Sequence, residues 1–122
     1  LDLEDVDILI PHQANVRIID ATARRLGVDS ARVFVNIQSY GNTSAATIPV
    51  ALTEALEQGQ IEPGSIVAFT AFGGGLSWGS AIVRWGERVT PIATSDAELP
   101  PADKTTMEIL QSNLDFFGEK SA

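Results

Sequence analysis

Short apolar runs rich in β-branched residues alternate with amphipathic stretches through residue 86 of this chain. Four runs have the length and composition of buried strands: Val6–Ile10, Val33–Ile37, Ile66–Phe72 and Ser80–Trp85. Ala14–Leu26 places apolar residues at helical spacing and is followed by Gly27, a common residue just after a helix. A second amphipathic stretch runs to about Gln58 and ends at Gly59, which predicts a second helix.

The predicted order of elements is strand, helix, strand, helix, strand, strand. Parallel strands need crossover connections, whereas adjacent antiparallel strands need only a short turn. The order therefore predicts an α/β protein with a mixed sheet of about four or more strands and packed helices. Pro49 falls inside the second helix, so we expect that helix to start late or to bend. Pro63–Gly64 predicts a turn before the third strand.

Composition excludes several classes of protein. An apolar content of 44% is typical of a folded domain, and no apolar run approaches the roughly 20 residues of a membrane span, so no membrane insertion is expected. A net charge of −8 would repel a phosphate backbone, so nucleic acid is not an expected partner. The chain has no cysteine and one histidine, which argues against disulfides and against a bound metal. No cofactor is predicted.

The character of the sequence changes after Gly86, so we predict one domain over residues 1–86 and an acidic extension over residues 87–122. Val89–Pro101 is rich in Pro, Ser, Thr and acids and is typical of a linker. Asp103 is a candidate cap for a last amphipathic helix. Its apolar positions, expected to pack on a partner, are Met107, Leu110, Leu114 and Phe117. The acidic first residues are unlike a signal peptide, and we interpret the absence of an initiator Met as a sign of a processed or excised piece.

His12 and Asn42 are the first candidates for chemistry, because each follows a predicted strand. The carboxyl ends of strands are where α/β proteins bind ligands. A lone histidine is often structural, but His12 precedes a helix N-terminus, which favours a neutral imidazole able to donate a hydrogen bond to an oxyanion. Asn42, within Gly41–Ser44, fits either a turn that caps a helix or an uncharged donor to the same oxygen.

The glycine-rich stretch after the third strand has two interpretations. Gly73–Gly75 permits a tight turn with positive φ, or lets a backbone N–H approach a bound carbonyl as an oxyanion hole requires. Ser77 lies in a G-x-S-x-G pattern, Gly75–Gly79, that also occurs in hydrolases. That nucleophile motif needs a helix after the serine and a histidine late in the chain. Here a predicted strand follows and the histidine comes first, so a hydrolase is disfavoured.

Three motifs in this order resemble β-ketoacyl-[acyl carrier protein] synthase III. They are PHQANVRI at Pro11–Ile18, GNTSAA at Gly41–Ala46 and FGGGLSWGSA at Phe72–Ala81. The resemblance covers about Asp7–Trp85 and matches the C-terminal half of the family's enzymes. It implies the C-terminal half of a thiolase-like fold, in which two related halves stack as alternating helical and sheet layers. A single histidine paired with an asparagine fits this branch better than the two histidines of other condensing enzymes.

The family condenses an acyl-CoA primer with malonyl-acyl carrier protein in the cytoplasm, releasing carbon dioxide to initiate fatty-acid synthesis. By resemblance, His12 and Asn42 are catalytic and stabilise the enolate, and Gly74 belongs to the oxyanion hole. Phe72, Gly73 and Gly75 would form a substrate-pocket loop. The residues expected to bind the carrier protein are Gln13, Ala14, Asn15, Val16 and Arg17, with Arg17 as the cation.

The resemblance also implies partners. The nucleophilic cysteine of the family lies in the N-terminal half, which this chain does not contain. We therefore expect the N-terminal half and acyl carrier protein as partners, a homodimer for the full enzyme, and no acyl transfer by this chain alone. The alternative is a non-catalytic carrier-binding or scaffold subunit.

Overall fold

A computed structural model describes residues 2–93, 95–98 and 103–118. The chain forms two compact units, residues 1–92 and residues 93–122. The first unit contains a mixed three-stranded sheet in the order β1, β2, β3. Strand β1 (Ile8–Pro11) pairs in parallel with β2 (Ile66–Gly73), which pairs in antiparallel with β3 (Ser77–Arg84). A mixed sheet with packed helices is the α/β arrangement that the sequence predicted.

The second predicted strand, Val33–Ile37, does not form. Val33 makes a single isolated parallel bridge to Leu9, and Ile37 begins the short helix α2 (Ile37–Tyr40). The side chain of Gln13 explains this, because it donates to the Phe34 carbonyl at 3.2 Å and accepts from the Asn36 N–H at 3.2 Å. A side-chain amide thus takes backbone hydrogen bonds that a strand neighbour would otherwise make. The described sheet therefore has three strands rather than about four or more.

Two helices of eleven residues lie between β1 and β2 in the sequence. Helix α1 (Val16–Leu26) begins after Asn15, whose side chain accepts from the Arg17 N–H at 2.9 Å, and ends at Gly27 with φ of 72°. Helix α3 (Thr47–Glu57) follows a 3-10 turn. Pro49 lies in the first turn of α3, where backbone N–H groups have no acceptor within the helix, so it costs no helical hydrogen bond.

The core of the first unit lies between β1, β2 and α3. It is formed by Ile8, Ile10, Phe34, Ala51, Ala55, Ile61 and Val67. The two alanines face the core from α3, and their small side chains allow the helix to approach the sheet closely. All four residues of β1 are buried, whereas all eight residues of β3 are exposed. The sheet is therefore covered by this chain at one edge and open at the other.

The second unit contains helix α4 (Thr106–Gly118). Its cap is Thr105 and not the predicted Asp103. The Thr105 hydroxyl accepts from the Glu108 N–H at 3.2 Å, and the Glu108 carboxylate accepts from the Thr105 N–H at 2.7 Å. This reciprocal capping box satisfies two N–H groups, which Asp103 would not do. The Thr105 N–H, and after it the Thr105 hydroxyl at 2.8 Å, donates to the Glu108 carboxylate and lowers the pKa of Glu108.

Three predicted apolar positions of α4, Met107, Leu110 and Leu114, are exposed. The side chain of Phe117 lies outside the described residues. Of the predicted linker, Val89–Pro101, the described positions have no helix or strand. Within the described ranges, no helix has the length and hydrophobicity needed to cross a membrane.

Candidate active site

One cleft of about 650 Å³ collects most of the residues singled out in the sequence. It lies where β1 and β2 end and where the loop before α3 begins. The predicted site residues that line it are His12, Ala14, Asn42, Phe72, Gly73 and Gly74. The structure therefore brings together three segments that are about thirty residues apart in the sequence.

His12 follows β1 directly and is partly buried. Its backbone N–H donates to the Thr70 carbonyl at 2.7 Å, which continues the pairing of β1 with β2 beyond Pro11. The ring nitrogen Nδ1 lies 2.6 Å from the hydroxyl of Thr47, the first residue of α3. The ring also meets Phe72 edge-on, with centroids 5.8 Å apart and planes at 68°. The imidazole is therefore contacted by the Thr47 hydroxyl and by the Phe72 ring.

Asn42 is held by its own loop. Its side-chain oxygen accepts from the Ser44 N–H at 2.9 Å, so the amide group NH₂ is left as the donor. Ser44 has φ of 56°, a left-handed conformation that non-glycine residues seldom adopt. Such conformations cluster at functional sites. The turn predicted for Gly41–Ser44 therefore does form, and it also presents Asn42 to the cleft.

The three consecutive glycines differ in whether the backbone conformation or a close contact explains a glycine at each position. Gly75 has φ of 114° and needs a glycine for conformational reasons. A Cβ on Gly73 would lie 3.2 Å from the Ser77 hydroxyl oxygen. At Gly74, by contrast, φ is not positive and an added Cβ would meet nothing within 4 Å. Nothing in the described part of this chain requires a glycine at position 74.

The predicted carrier-binding segment divides into buried and exposed residues. Gln13 is only 1% exposed, and its amide nitrogen donates to the carbonyls of Pro11 at 2.8 Å and Phe34 at 3.2 Å. It braces the end of β1, and almost none of its surface is accessible to the predicted carrier protein. Ala14 lines the cleft, whereas Val16 and Arg17 are exposed in the first turn of α1.

Gln13 is one end of a polar network behind the cleft. Its side-chain oxygen accepts from the N–H of Asn36, a buried residue whose amide NH₂ donates to Glu54 at 2.8 Å. Glu54 also accepts from the Tyr40 hydroxyl at 2.5 Å. The Tyr40 hydrogen bond, and after it the Asn36 bond, lowers the pKa of the Glu54 carboxyl. The same bond to Glu54 raises the pKa of Tyr40.

The competing interpretations find no support in the geometry. Ser77 opens β3 and its hydroxyl donates to the Gly74 carbonyl at 3.3 Å, so the serine leads into a strand and not into the helix of a hydrolase nucleophile motif. Among the residues that the structure describes, no group of three or more His, Cys, Asp or Glu side chains is placed to hold a metal.

Thr47 and Ser44 are polar cleft residues to which the sequence motifs gave no role of their own. Thr47 is 3% exposed and contacts His12 across a separation of 35 residues. Both residues follow Asn42 in the GNTSAA segment and its continuation. Their position close behind a candidate asparagine was the available signal, but the contact itself depends on the tertiary fold.

Comparisons with known proteins agree with this arrangement. Residues 1–85 match the family model for the C terminal of 3-oxoacyl-[acyl-carrier-protein] synthase III. Beta-ketoacyl-[acyl-carrier-protein] synthase III 2 of Vibrio cholerae is 50% identical over 115 residues, covering 94% of this chain and 32% of that protein. Beta-ketoacyl-[acyl-carrier-protein] synthase III of Roseiflexus castenholzii is 59% identical over 85 residues, covering 70% and 26%.

These matches differ in how far they extend. A match of 115 residues in a chain of 122 must reach into the second unit, whichever end is left out. The extension after Gly86 therefore has a counterpart in the Vibrio relative, although the resemblance in the sequence covered only about Asp7–Trp85. The chain spans about a third or less of the length of each of these two relatives.

Solved structures show the same relationship. The 3-oxoacyl-[acyl-carrier-protein] synthase III of Aquifex aeolicus superposes with a TM-score of 0.68 at 53% identity, covering 70% of this chain and 28% of that one. The Pseudomonas aeruginosa enzyme gives a TM-score of 0.68 at 45% identity, covering 72% and 27%. The fold is therefore thiolase-like, and the chain belongs to the 3-oxoacyl-[acyl-carrier-protein] synthase III family, whose C-terminal region its residues 1–85 match.

Proposed function

We propose that this chain supplies the donor half of a condensing active site. In this proposal the full enzyme carries out a decarboxylative Claisen condensation of an acyl-CoA primer with malonyl-acyl carrier protein, in the cytoplasm, and so initiates fatty-acid synthesis. The observation that supports it most strongly is the shared cleft of His12, Asn42 and Gly74. The family relationship supports the same reaction.

His12 and Asn42 are proposed to hold one oxygen between them. When malonyl loses carbon dioxide, the electron pair of the breaking C–C bond moves into the thioester carbonyl and produces an enolate oxygen. Two uncharged N–H donors stabilise that oxygen without protonating it. The enolate carbon then attacks the acyl carbon of the primer, whose thioester C–S bond breaks so that the sulfur leaves as a thiolate. The amide NH₂ of Asn42 is suited to this role because its oxygen is already bonded to Ser44.

The acyl group itself needs a nucleophile that this chain lacks. The chain has no cysteine, so no thiolate is available to carry the primer. We propose that the cysteine comes from the N-terminal half of the enzyme and that its N–H joins that of Gly74 in the oxyanion hole. The space beside Gly74 leaves room for this, because an added Cβ there would meet nothing within 4 Å. The chain alone is therefore proposed to be inactive.

The carrier protein is proposed to dock beside the cleft on the start of α1. Ala14 lines the cleft and the next three residues are exposed, with Arg17 providing a positive charge for an acidic partner. Val16, 49% exposed, adds an apolar contact. Gln13 takes no part in this surface. The complete enzyme is proposed to be a homodimer, as the family resemblance implies.

A chimera tests the proposal. The region of the Vibrio cholerae relative that this chain matches is replaced by this chain, so that the relative supplies the cysteine half. We expect the chimera to form ketoacyl product from acyl-CoA and malonyl-acyl carrier protein, and the isolated chain to form none. Replacing His12 or Asn42 by Ala in the chimera should each lower kcat by about 10²–10³-fold.

The controls separate failure of the proposal from failure of the chimera. Arg24→Ala changes an exposed residue of α1 away from the cleft and should leave kcat unchanged. Turnover by the isolated chain would refute the shared site. A folded chimera that binds the carrier protein without condensing would favour the scaffold alternative.

A further inference from the structure

We propose that the Thr47 hydroxyl sets the tautomer of His12. In this inference Thr47 donates its hydrogen to Nδ1, so the imidazole proton is kept on Nε2, the nitrogen that remains to meet a ligand. Thr47 is then a positioning residue, which acts through the histidine and does not touch the substrate. The inference concerns the same site as the proposed function, and its meaning for catalysis rests on that function. The test of the tautomer does not depend on the proposed function.

The Thr47 oxygen has two neighbours and one hydrogen to give. It lies 2.6 Å from Nδ1 of His12 and 3.1 Å from the carbonyl oxygen of Ser44. If the hydroxyl donates to Nδ1, that nitrogen carries no proton and Nε2–H is a donor. If it donates to the carbonyl, Nδ1 must carry the proton and the neutral ring presents a bare Nε2. The direction of one hydroxyl therefore decides whether His12 donates or accepts.

The distances favour donation to the histidine. An N–H donor to oxygen makes bonds of about 2.7–3.2 Å, and hydroxyl donors generally make shorter ones. The 2.6 Å contact between Nδ1 and the Thr47 oxygen is shorter than the N–H···O range, which favours the hydroxyl as the donor. The 3.1 Å contact with the Ser44 carbonyl is longer than a typical hydroxyl bond. That carbonyl also accepts the backbone N–H of Thr47, so it keeps a hydrogen bond when the hydroxyl turns to Nδ1.

The position of the hydroxyl is also fixed by its surroundings. Thr47 is 3% exposed and is held at the start of α3. The preceding turn is fixed by the left-handed Ser44, whose N–H donates to Asn42. One turn therefore orients the carboxamide of Asn42 and, three residues further on, the hydroxyl that orients His12. Both proposed donors to the enolate oxygen depend on this segment.

Nitrogen-15 NMR of the isolated chain tests the tautomer directly. The chain has a single histidine, so the two ring nitrogens give unambiguous signals. At a pH where the ring is neutral, we expect Nδ1 to have the shift of an unprotonated, hydrogen-bonded acceptor and Nε2 to carry the proton. In Thr47→Val, Nδ1 should lose its hydrogen-bond shift and the Nδ1–H tautomer should rise several-fold. Thr47→Ser restores the hydroxyl and should behave like the unmodified chain.

Thr53→Val is the matched control. Thr53 lies on the same helix, and its hydroxyl donates to the Pro49 carbonyl at 3.0 Å without contacting His12. The amide spectrum of each variant shows whether it is folded. If the unmodified chain has its proton on Nδ1, or if Thr47→Val leaves both ring signals unchanged while folded, the inference is wrong. Neither result involves turnover. Failure of the tautomer inference can therefore be distinguished from failure of the proposed condensing function.

Discussion

The two walls of the cleft are supported in different ways. The histidine wall, formed by His12, Asn42 and Thr47, is held by hydrogen bonds within the first unit. The glycine wall, formed by Phe72, Gly73 and Gly74, leads into β3, whose eight residues are all exposed. Trp78 on β3 is 85% exposed, and Leu76 in the turn before it is 94% exposed. One wall is completed by residues of the first unit, whereas the other presents apolar surface that the described residues of that unit leave uncovered.

This difference shows what the chain provides by itself. Orienting a donor requires a rigid surrounding, and the hydrogen bonds of Thr47, Ser44 and Gln13 supply it around the histidine wall. An exposed apolar face is typical of a surface that packs against another polypeptide. The match to about a third or less of each relative agrees with a site whose second part comes from elsewhere in the full enzyme.

The largest expected effect separates two neighbouring glycines. Gly74→Ala places a methyl group in open space, so we expect the free energy of unfolding of the chain to stay within about 0.5 kcal/mol. In the chimera the same methyl lies where the substrate and the cysteine half meet. A shift of about 1 Å there lowers kcat by about 10²-fold. Urea unfolding of the chain and turnover of the chimera measure the two quantities.

Gly75→Ala is the matched comparison. Its φ of 114° strains any residue with a side chain, so this variant should destabilise the chain by more than about 1 kcal/mol. Equal stability losses for the two variants would contradict the distinction drawn between them.

Gln13→Ala should lower the free energy of unfolding, because Gln13 supports the segment that carries the histidine wall. It leaves the buried N–H of Asn36 and the carbonyl of Phe34 without their partner, which costs about 1–3 kcal/mol of the free energy of unfolding. Gln38→Ala is the control, because Gln38 is exposed and bonds only to the Val35 carbonyl at 3.3 Å. Urea unfolding of both variants should separate them clearly. Similarly small losses of unfolding free energy in the two variants would show that Gln13 does not support the site.

Glu54 should give the first unit a pH-dependent stability. Its pKa is lowered in the folded chain, chiefly by Tyr40. The stabilisation is thus complete above the ordinary value of 4.5 and is lost as the pH falls through the lower folded value. In Glu54→Gln, the unfolding midpoint should fall less between pH 6 and acid than in the unmodified chain. Glu57→Gln, which removes the same charge from the same helix, is the control; an identical flattening there would contradict the account.

The smallest effect is expected at the exposed wall. Trp78→Ser should change the free energy of unfolding of the isolated chain by less than about 0.5 kcal/mol, because the ring is 85% exposed. If β3 packs against the other half of the enzyme, the ring is covered in the chimera and the same change should lower Tm by several degrees. Thermal unfolding of both forms measures the contrast. A similar shift in the two forms would mean that β3 does not face the other half.

The local pattern of the sequence predicted the helix α1, whose hydrogen bonds are local, and the strands that have another strand as a neighbour. Strand β1, helix α1 with Gly27, and strand β2 follow the predicted order. Val33–Ile37 had the composition of a strand, but its backbone partners are taken by the Gln13 amide. No local pattern shows that a glutamine twenty residues earlier competes for those groups. Composition was a sound guide only where the strand had a strand as its neighbour.

The site could be predicted as far as its motifs extend. His12, Asn42 and Gly74 are distinctive in sequence and do line one cleft. Gln13 was grouped with the docking residues because the motif is contiguous, although exposure changes sharply within it. Thr47 was missed because its contact with His12 spans 35 residues and exists only after folding. Roles that depend on distant contacts required the structure.

A double-mutant cycle in the chimera tests most directly whether His12 and Asn42 act on one oxygen. Turnover is compared among the parent chimera, His12→Ala, Asn42→Ala and the double variant. If both side chains stabilise the same enolate oxygen, the double variant should lose much less than the product of the two single losses. If the two losses multiply, each side chain acts independently and the shared donor site is contradicted.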